Sequence, residues 1–145
     1  MRLILQRVSG AAVRVSGEEV ARIGAGALIL AGVERGDDRE TVARAVEKVA
    51  RLRIYADAAG RMNLDAAAVG AAFLVVSQFT LAASLERGRR PSFDRAAPPE
   101  RARPLVEALA EGLAERGFEV QRGRFGALMQ VELVNDGPVT FVLDL

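Results

Sequence analysis

Asn135-Asp136-Gly137-Pro138-Val139-Thr140 stands between two strand patterns, Leu128–Val134 and Val139–Leu145, a setting that predicts a tight turn within a sheet. Asp-Gly is a turn dipeptide because glycine reaches positive φ without a Cβ clash. The proline that follows donates no hydrogen bond and belongs at strand starts, edges or bulges. A Gly-Pro bond takes the cis form at a cost of about 0.5–1 kcal/mol, and a cis bond would turn two backbone carbonyls outward in a fixed direction. Taken by itself, the hexapeptide is most simply an ordinary hairpin corner.

Working outward, Phe118–Gln121 precedes these strands, and Leu105, Leu109 and Leu113 mark a helix that ends near Gly117. An interior proline costs a helix about 3 kcal/mol, so the helix either begins just before Pro104 or is kinked there, the late start being the favoured expectation. Ala82–Pro99, rich in Arg, Gly and Pro, predicts a long irregular loop. Phe73–Val76 is a buried strand. Val42, Val46, Val49 and Leu52 recur at helical spacing and predict a helix from Arg39 to Arg53, with Asp37 and Glu40 as its capping pair. Tyr55–Asn63 reads as a loop or short hairpin.

Ala27–Val33 is continuously apolar, as in a strand covered on both faces. Ala11–Val15 and Glu19–Ile23 flank a Ser16-Gly17 turn, and Arg2–Val8 alternates as a half-buried strand. Strands outnumber helices and cluster at both ends. The predicted fold is α+β, a mainly antiparallel, barrel-like sheet with two principal helices, in one domain spanning 1–145.

A chain of 145 residues buries about 68–70% of the surface it exposes when unfolded. Half of its residues are hydrophobic, and no apolar run is long enough to span a membrane. Without cysteine or a signal-peptide pattern the expected location is cytoplasmic. The absence of both His and Cys excludes Ser-His and Cys-His nucleophiles and the usual zinc sites. No metal or cofactor is expected. Catalysis would have to use carboxylates, hydroxyls, Lys or Arg, backbone groups, or the substrate itself. A net charge of +1 gives no global attraction to nucleic acid.

Three stretches hold candidate chemistry. Ser77-Gln78-Phe79-Thr80 breaks an apolar strand with polar side chains, whose burial without partners would cost about 1–3 kcal/mol each; a strand end that satisfies neighbouring backbone is the plain alternative. Arg87-Gly88-Arg89-Arg90-Pro91-Ser92-Phe93 could track phosphates while Phe93 stacks on a base, although solvated surface arginines are the commoner explanation. Gly123–Met129 puts backbone room beside Phe125 and Met129, either a pocket for a flat ring or a corner of the core.

Together and in order, Ser77-Gln78-Phe79-Thr80-Leu81, Arg90-Pro91-Ser92-Phe93, Gly123–Met129 and Asn135–Thr140 resemble the D-aminoacyl-tRNA deacylases. Gln6-Arg7-Val8, Arg61-Met62-Asn63-Leu64 and the total length match as well. Both signature motifs of that family, Ser-Gln-Phe-Thr-Leu and Asn-x-Gly-Pro-x-Thr, are intact, and the resemblance covers essentially the whole chain.

The resemblance implies a homodimer that hydrolyses the ester between a D-amino acid and the 3′-terminal adenosine of tRNA. It also implies removal of glycine mischarged onto other tRNAs. Gly137-Pro138 would be a cis dipeptide inserted into the partner subunit's active site, its carbonyls occupying the place an L side chain needs. Arg7, Asn135 and Thr140 would support that loop. Ser77, Gln78, Phe79 and Thr80 would form the catalytic segment, with backbone N–H groups around Phe79 and Thr80 holding the oxyanion. The 2′-hydroxyl of the substrate would assist, and Thr80 would position rather than attack, since no adjacent base activates it. Phe125, Gly126, Met129 and Phe93 would bind the adenosine, and Arg87, Arg89 and Arg90 would contact tRNA phosphates. The rivals are a related deacylase with a trans Gly-Pro bond acting on L-alanyl-tRNA, and a non-catalytic nucleic-acid-binding dimer.

Overall fold

The computed structural model describes residues 1–86 and 88–145. One long strand organises it. β1 (Arg2–Val15) pairs antiparallel with β2 (Glu18–Ile23) through its second half, and with β3 (Gly26–Gly32) through its first. Along its other edge it pairs over its whole length with β8 (Gln130–Asp144). The two stretches expected as separate strands, Arg2–Val8 and Ala11–Val15, are therefore one. The Ser16-Gly17 turn is present, with both residues at positive φ (52° and 83°), as a two-residue hairpin loop with the twist of its strands requires.

From β3 the chain crosses over through α1 (Arg39–Arg51), the short hairpin β4 (Tyr55–Ala56) and β5 (Met62–Leu64), and a single helical turn α2 (Ala66–Val69). It returns as β6 (Ala72–Ser77), parallel to β3. A second crossover, α3 (Pro99–Ala114), leads to β7 (Val120–Arg122), parallel to β6. The sheet order is β2-β1-β3-β6-β7, with β8 on β1. The result is α+β with a nearly closed, barrel-like sheet. The sheet is mainly antiparallel, as expected, with two parallel pairings added, β3 with β6 and β6 with β7, which exist because each helix carries the chain back to the starting end of the sheet.

The two faces of the sheet bury different clusters. Leu3, Leu5, Ile29, Phe73 and Val75 point towards α1 and α3, which supply Val42, Val46, Val49, Leu109 and Leu113. Val8, Val13, Ile23, Leu28, Leu74 and Val76 fill the inside of the curved sheet. Each such side chain contributes about 1.5–3 kcal/mol by leaving water.

α1 starts at Arg39 as expected, but its capping residue and the start of α3 differ from expectation. Asp38, not Asp37, caps α1: its carboxylate accepts from the Thr41 amide at 2.9 Å, and that bond holds the Asp38 carboxyl below its ordinary pKa. Asp37 is buried and accepts from the Met1 ammonium at 2.5 Å and the Glu34 amide at 2.6 Å. α3 begins at Pro99 and runs through Pro104. Pro99 sits in the first turn, where its missing N–H costs nothing. Pro104 lies on the exposed face, opposite the buried stripe Ala102, Leu105, Val106, Leu109, Ala110 and Leu113, so packing of that stripe offsets one lost backbone bond. Among the described residues, no helix is long and apolar enough to cross a membrane.

Candidate functional site

β6 ends at Ser77 beside Ala31 of β3, and the Gln78 amide donates to the Ala31 carbonyl at 2.8 Å. The chain then turns through one 3₁₀ turn, Phe79–Ala82. The turn fits only because Gly32 has no side chain: a Cβ there would stand 2.7 Å from Leu81 Cβ and 3.0 Å from the Gln78 carbonyl oxygen. Leu81 and Ala83 donate back to the carbonyls of Gln78 and Thr80. Among the described residues the amides of Phe79 and Thr80 have no acceptor, and no side chain caps the turn. Two free N–H groups at the start of a turn are an anion-binding arrangement.

Fifty residues later in the chain, Gly123–Met129 comes to the same place. The Gly123 amide donates to the Val75 carbonyl at 2.9 Å, and Met129 lies across Gly123, where a Cβ would be 2.8 Å from its sulfur. Between the two segments is a cleft of about 690 Å³, within the size range of small-molecule sites. Ser77, Gln78 and Phe79 line one side, and Phe125, Gly126 and Met129 the other. An amide-bearing turn facing an aromatic and thioether wall can hold a planar ring and stabilise an anion beside it, without histidine or metal.

Two candidates are placed differently from expectation. Thr80 does not line the cleft; its hydroxyl accepts from the Gln78 side-chain amide at 2.5 Å. Phe93 packs its ring on Phe79 at 5.0 Å between centroids and so buttresses the turn, standing outside the cleft wall. Arg89 and Arg90 are exposed, while Arg87 lies outside the described residues. The cleft also takes Ala102 and Arg103 from the first turns of α3. Neither is marked by the local pattern, because a helix expected to start near Pro104 leaves both residues in the preceding loop. Arg103 stands over the Phe125 ring, 4.9 Å from its centroid.

The Asn135–Thr140 segment is not a hairpin corner, and this corrects the opening expectation. β8 continues through it, and both halves pair with β1. Between Gln6 and Val8 of β1, β8 advances from Thr140 back to Asn135, so the surplus residues bulge out as a loop. The Asn135 side chain closes that loop. Its carbonyl accepts from the Val139 amide at 2.6 Å, and its NH₂ donates to the Val139 carbonyl and the Thr140 hydroxyl, both at 3.1 Å. Arg7 donates to the Asp136 carbonyl at 2.8 Å and to the Ile54 carbonyl at 2.6 Å, tying the loop to the end of the α1 crossover. The Gly137-Pro138 bond is cis, and Asp136, Gly137 and Pro138 are exposed. None of these loop residues lines the cleft of its own chain. The candidates thus fall into two groups, a cleft and a braced, projecting loop.

An α+β barrel-like chain with this cleft and this loop has close counterparts. The family described as D-Tyr-tRNA(Tyr) deacylase matches residues 4–144. A relative from Thermomicrobium roseum named D-aminoacyl-tRNA deacylase is 57% identical over 99% of this chain and 94% of its own. One of the same name from Azotobacter vinelandii is 54% identical over 99% of both chains. A solved structure titled c-Myc DNA Unwinding Element Binding Protein superposes with a TM-score of 0.94 at 34% identity, covering 100% of this chain and 99% of that one. A probable eukaryotic D-amino acid tRNA deacylase shares the fold, with a TM-score of 0.84 at 17% identity over 99% of this chain and 98% of its own. The chain belongs to the D-Tyr-tRNA(Tyr) deacylase family.

Proposed function

We propose that this chain hydrolyses the ester joining a D-amino acid to the 3′-terminal adenosine of tRNA, and that it acts on glycyl-tRNA as well. One observation carries the reading beyond family membership: the Ser77–Phe79 and Phe125–Met129 segments, distant in sequence, face each other across a single cleft. The adenine ring lies against Phe125, Gly126 and Met129, which brings the ester carbonyl to the free amides of Phe79 and Thr80. Water adds to the carbonyl carbon, and the negative charge that develops on the carbonyl oxygen is held by those amides. Collapse expels the ribose 3′-oxygen, which takes up a proton with help from the neighbouring 2′-hydroxyl, leaving free D-amino acid and tRNA. Thr80, its hydroxyl engaged by Gln78, orients the turn.

Selection against L-amino acids is assigned to the Gly137-Pro138 loop of a partner subunit, with Arg7, Asn135 and Thr140 keeping it in place. Support comes from its exposure, its bracing at both ends and its absence from the cleft of its own chain. Backbone suits the task, because a side chain could rotate aside and admit the wrong enantiomer.

A deacylation time course with D-Tyr-tRNA and L-Tyr-tRNA tests the proposal. The D ester alone should be lost faster than in buffer, and Thr80→Ala should keep activity within about tenfold, since removing an oxyanion donor costs about 10²–10³ and this variant removes none. Equal loss of both esters would end the exclusion mechanism. Rapid loss of L-Ala-tRNA would favour the L-alanyl rival. A second reading, nucleic-acid binding without catalysis, has in its favour the 34%-identical structure titled as a DNA unwinding element binding protein; it leads if neither ester is cleaved.

A further inference from the structure

Adjoining the cleft is a second cavity of about 260 Å³ between α3 and the ends of β6 and β7. Ser77, Arg103, Val106 and Phe125 belong to both. The second cavity adds Glu107 and Arg122 to this lining. Arg122 is paired with Val75 in the parallel β6–β7 ladder, which brings it to the same face of the sheet as Ser77, two residues further along β6. Arg103 reaches in from α3 above the Phe125 ring. Many arginines of this chain are spent on carboxylates, but among the described residues neither Arg103 nor Arg122 has one within ion-pair distance.

We propose that this cavity is a second nucleotide subsite: Arg103 and Arg122 take the phosphodiester on the 5′ side of the terminal adenosine, and Glu107 accepts from the base that precedes it. The inference rests on the deacylase reading of the main cleft. Its volume falls below the roughly 300–1,000 Å³ of a pocket that encloses a whole ligand, so it suits a phosphate and one base edge. The charge decides which end of the substrate enters. The amino-acid end carries an α-ammonium, which two guanidiniums repel, whereas the nucleotide end carries an anion that guanidinium forks bind well. Stacking on Phe125 keeps Arg103 beside the ring that separates the two nucleosides. Glu107 would be an adverse charge beside phosphate alone. It has a use if the base carries an exocyclic amino group, because a carboxylate accepts from cytosine N4–H and has nothing to offer uracil O4.

The test compares D-Tyr-adenosine, the dinucleotide esters D-Tyr-CpA and D-Tyr-UpA, and full D-Tyr-tRNA. Wild-type kcat/KM should be about tenfold or more higher on D-Tyr-CpA than on D-Tyr-adenosine, the worth of a hydrogen-bonded charge. Arg122→Gln should abolish that advantage while cleaving D-Tyr-adenosine as before, and Arg122→Lys should restore part of it. The slope of log KM against log salt on tRNA should fall by about 0.7 in Arg122→Gln, as for one lost single-strand phosphate contact. Glu107→Gln should level the CpA and UpA rates. A dinucleotide advantage untouched by Arg122→Gln, equal slowing on both lengths, or no wild-type advantage would each overturn the subsite while leaving the deacylase intact. Failure of the wild type on full D-Tyr-tRNA would instead remove the deacylase reading, and the subsite with it.

Discussion

Tyr55 is buried, and its hydroxyl has no hydrogen-bond partner among the described residues. Burial pushes its pKa up to about 12, against the opposing pull of Arg7. The unfolded chain ionises this phenol near the ordinary value of about 10, while the folded chain keeps it neutral. The stability it contributes is complete below pH 10 and is lost as pH rises towards 12. Tyr55→Phe should therefore unfold in urea at the wild-type midpoint or above it at pH 7, and lose less stability than wild type between pH 10 and 12. A cost above about 1 kcal/mol at pH 7 would mean that the hydroxyl finds a partner in the assembled protein. The neighbouring Arg7 shows the opposite case: its guanidinium is also largely covered, but it donates to the backbone carbonyls of Asp136 and Ile54 and lies 3.4 Å from the Asp136 carboxylate.

Among the elements, β8 carries most of the argument. Its bulge is held by one side chain, Asn135, which makes three hydrogen bonds across the loop. Asn135→Ala leaves the Val139 amide without its acceptor and should cost about 1–3 kcal/mol in urea unfolding. Under the proposed selectivity role, the same variant should lower the ratio of D to L deacylation rates. Asn135→Asp keeps the acceptor for Val139 and loses both donors, so it should fall between the two. Loss of stability with an unchanged D/L ratio would detach the loop from selectivity. α3 makes a complementary point. Its first turns supply Ala102 and Arg103 to the cleft, so a helix packed for the core also builds the site.

At the scale of the molecule, the sheet is left unfinished along β8. That strand pairs only with β1 among the described residues. Its inward residues Val131, Leu133, Phe141 and Leu143 are only half-buried, and its outward row exposes Val134 and Val142, at 65% and 58%. Leu128 beside it is 93% exposed. An unpaired strand edge with exposed apolar side chains beside it is a template for another chain, which supports the proposed homodimer. Light scattering should return twice the mass of one chain. Val142→Glu should shift that mass towards the monomer and reduce deacylation in parallel, with helical and sheet content retained. A monomer of full activity would refute a site shared between subunits.

The strands, α1 and the Ser16-Gly17 turn were legible in the sequence because each depends on local period and turn chemistry. The four segments of the candidate site were legible as a set, through their resemblance to a family. What only the tertiary structure decided is everything that depends on partners remote in sequence. Asn135–Thr140 looked like a corner, since turn residues specify a local bend without specifying whether the chain reverses; pairing of both flanks with β1 made it a bulge. Pro104 looked like a helix start, because an isolated helix would break there, and burial of the α3 stripe overrode it. The parallel pairings and Arg103 over Phe125 follow from the two crossovers, which bring segments remote in sequence side by side. Local patterns encode which elements form, and packing of their apolar faces decides where each side chain of the site ends up.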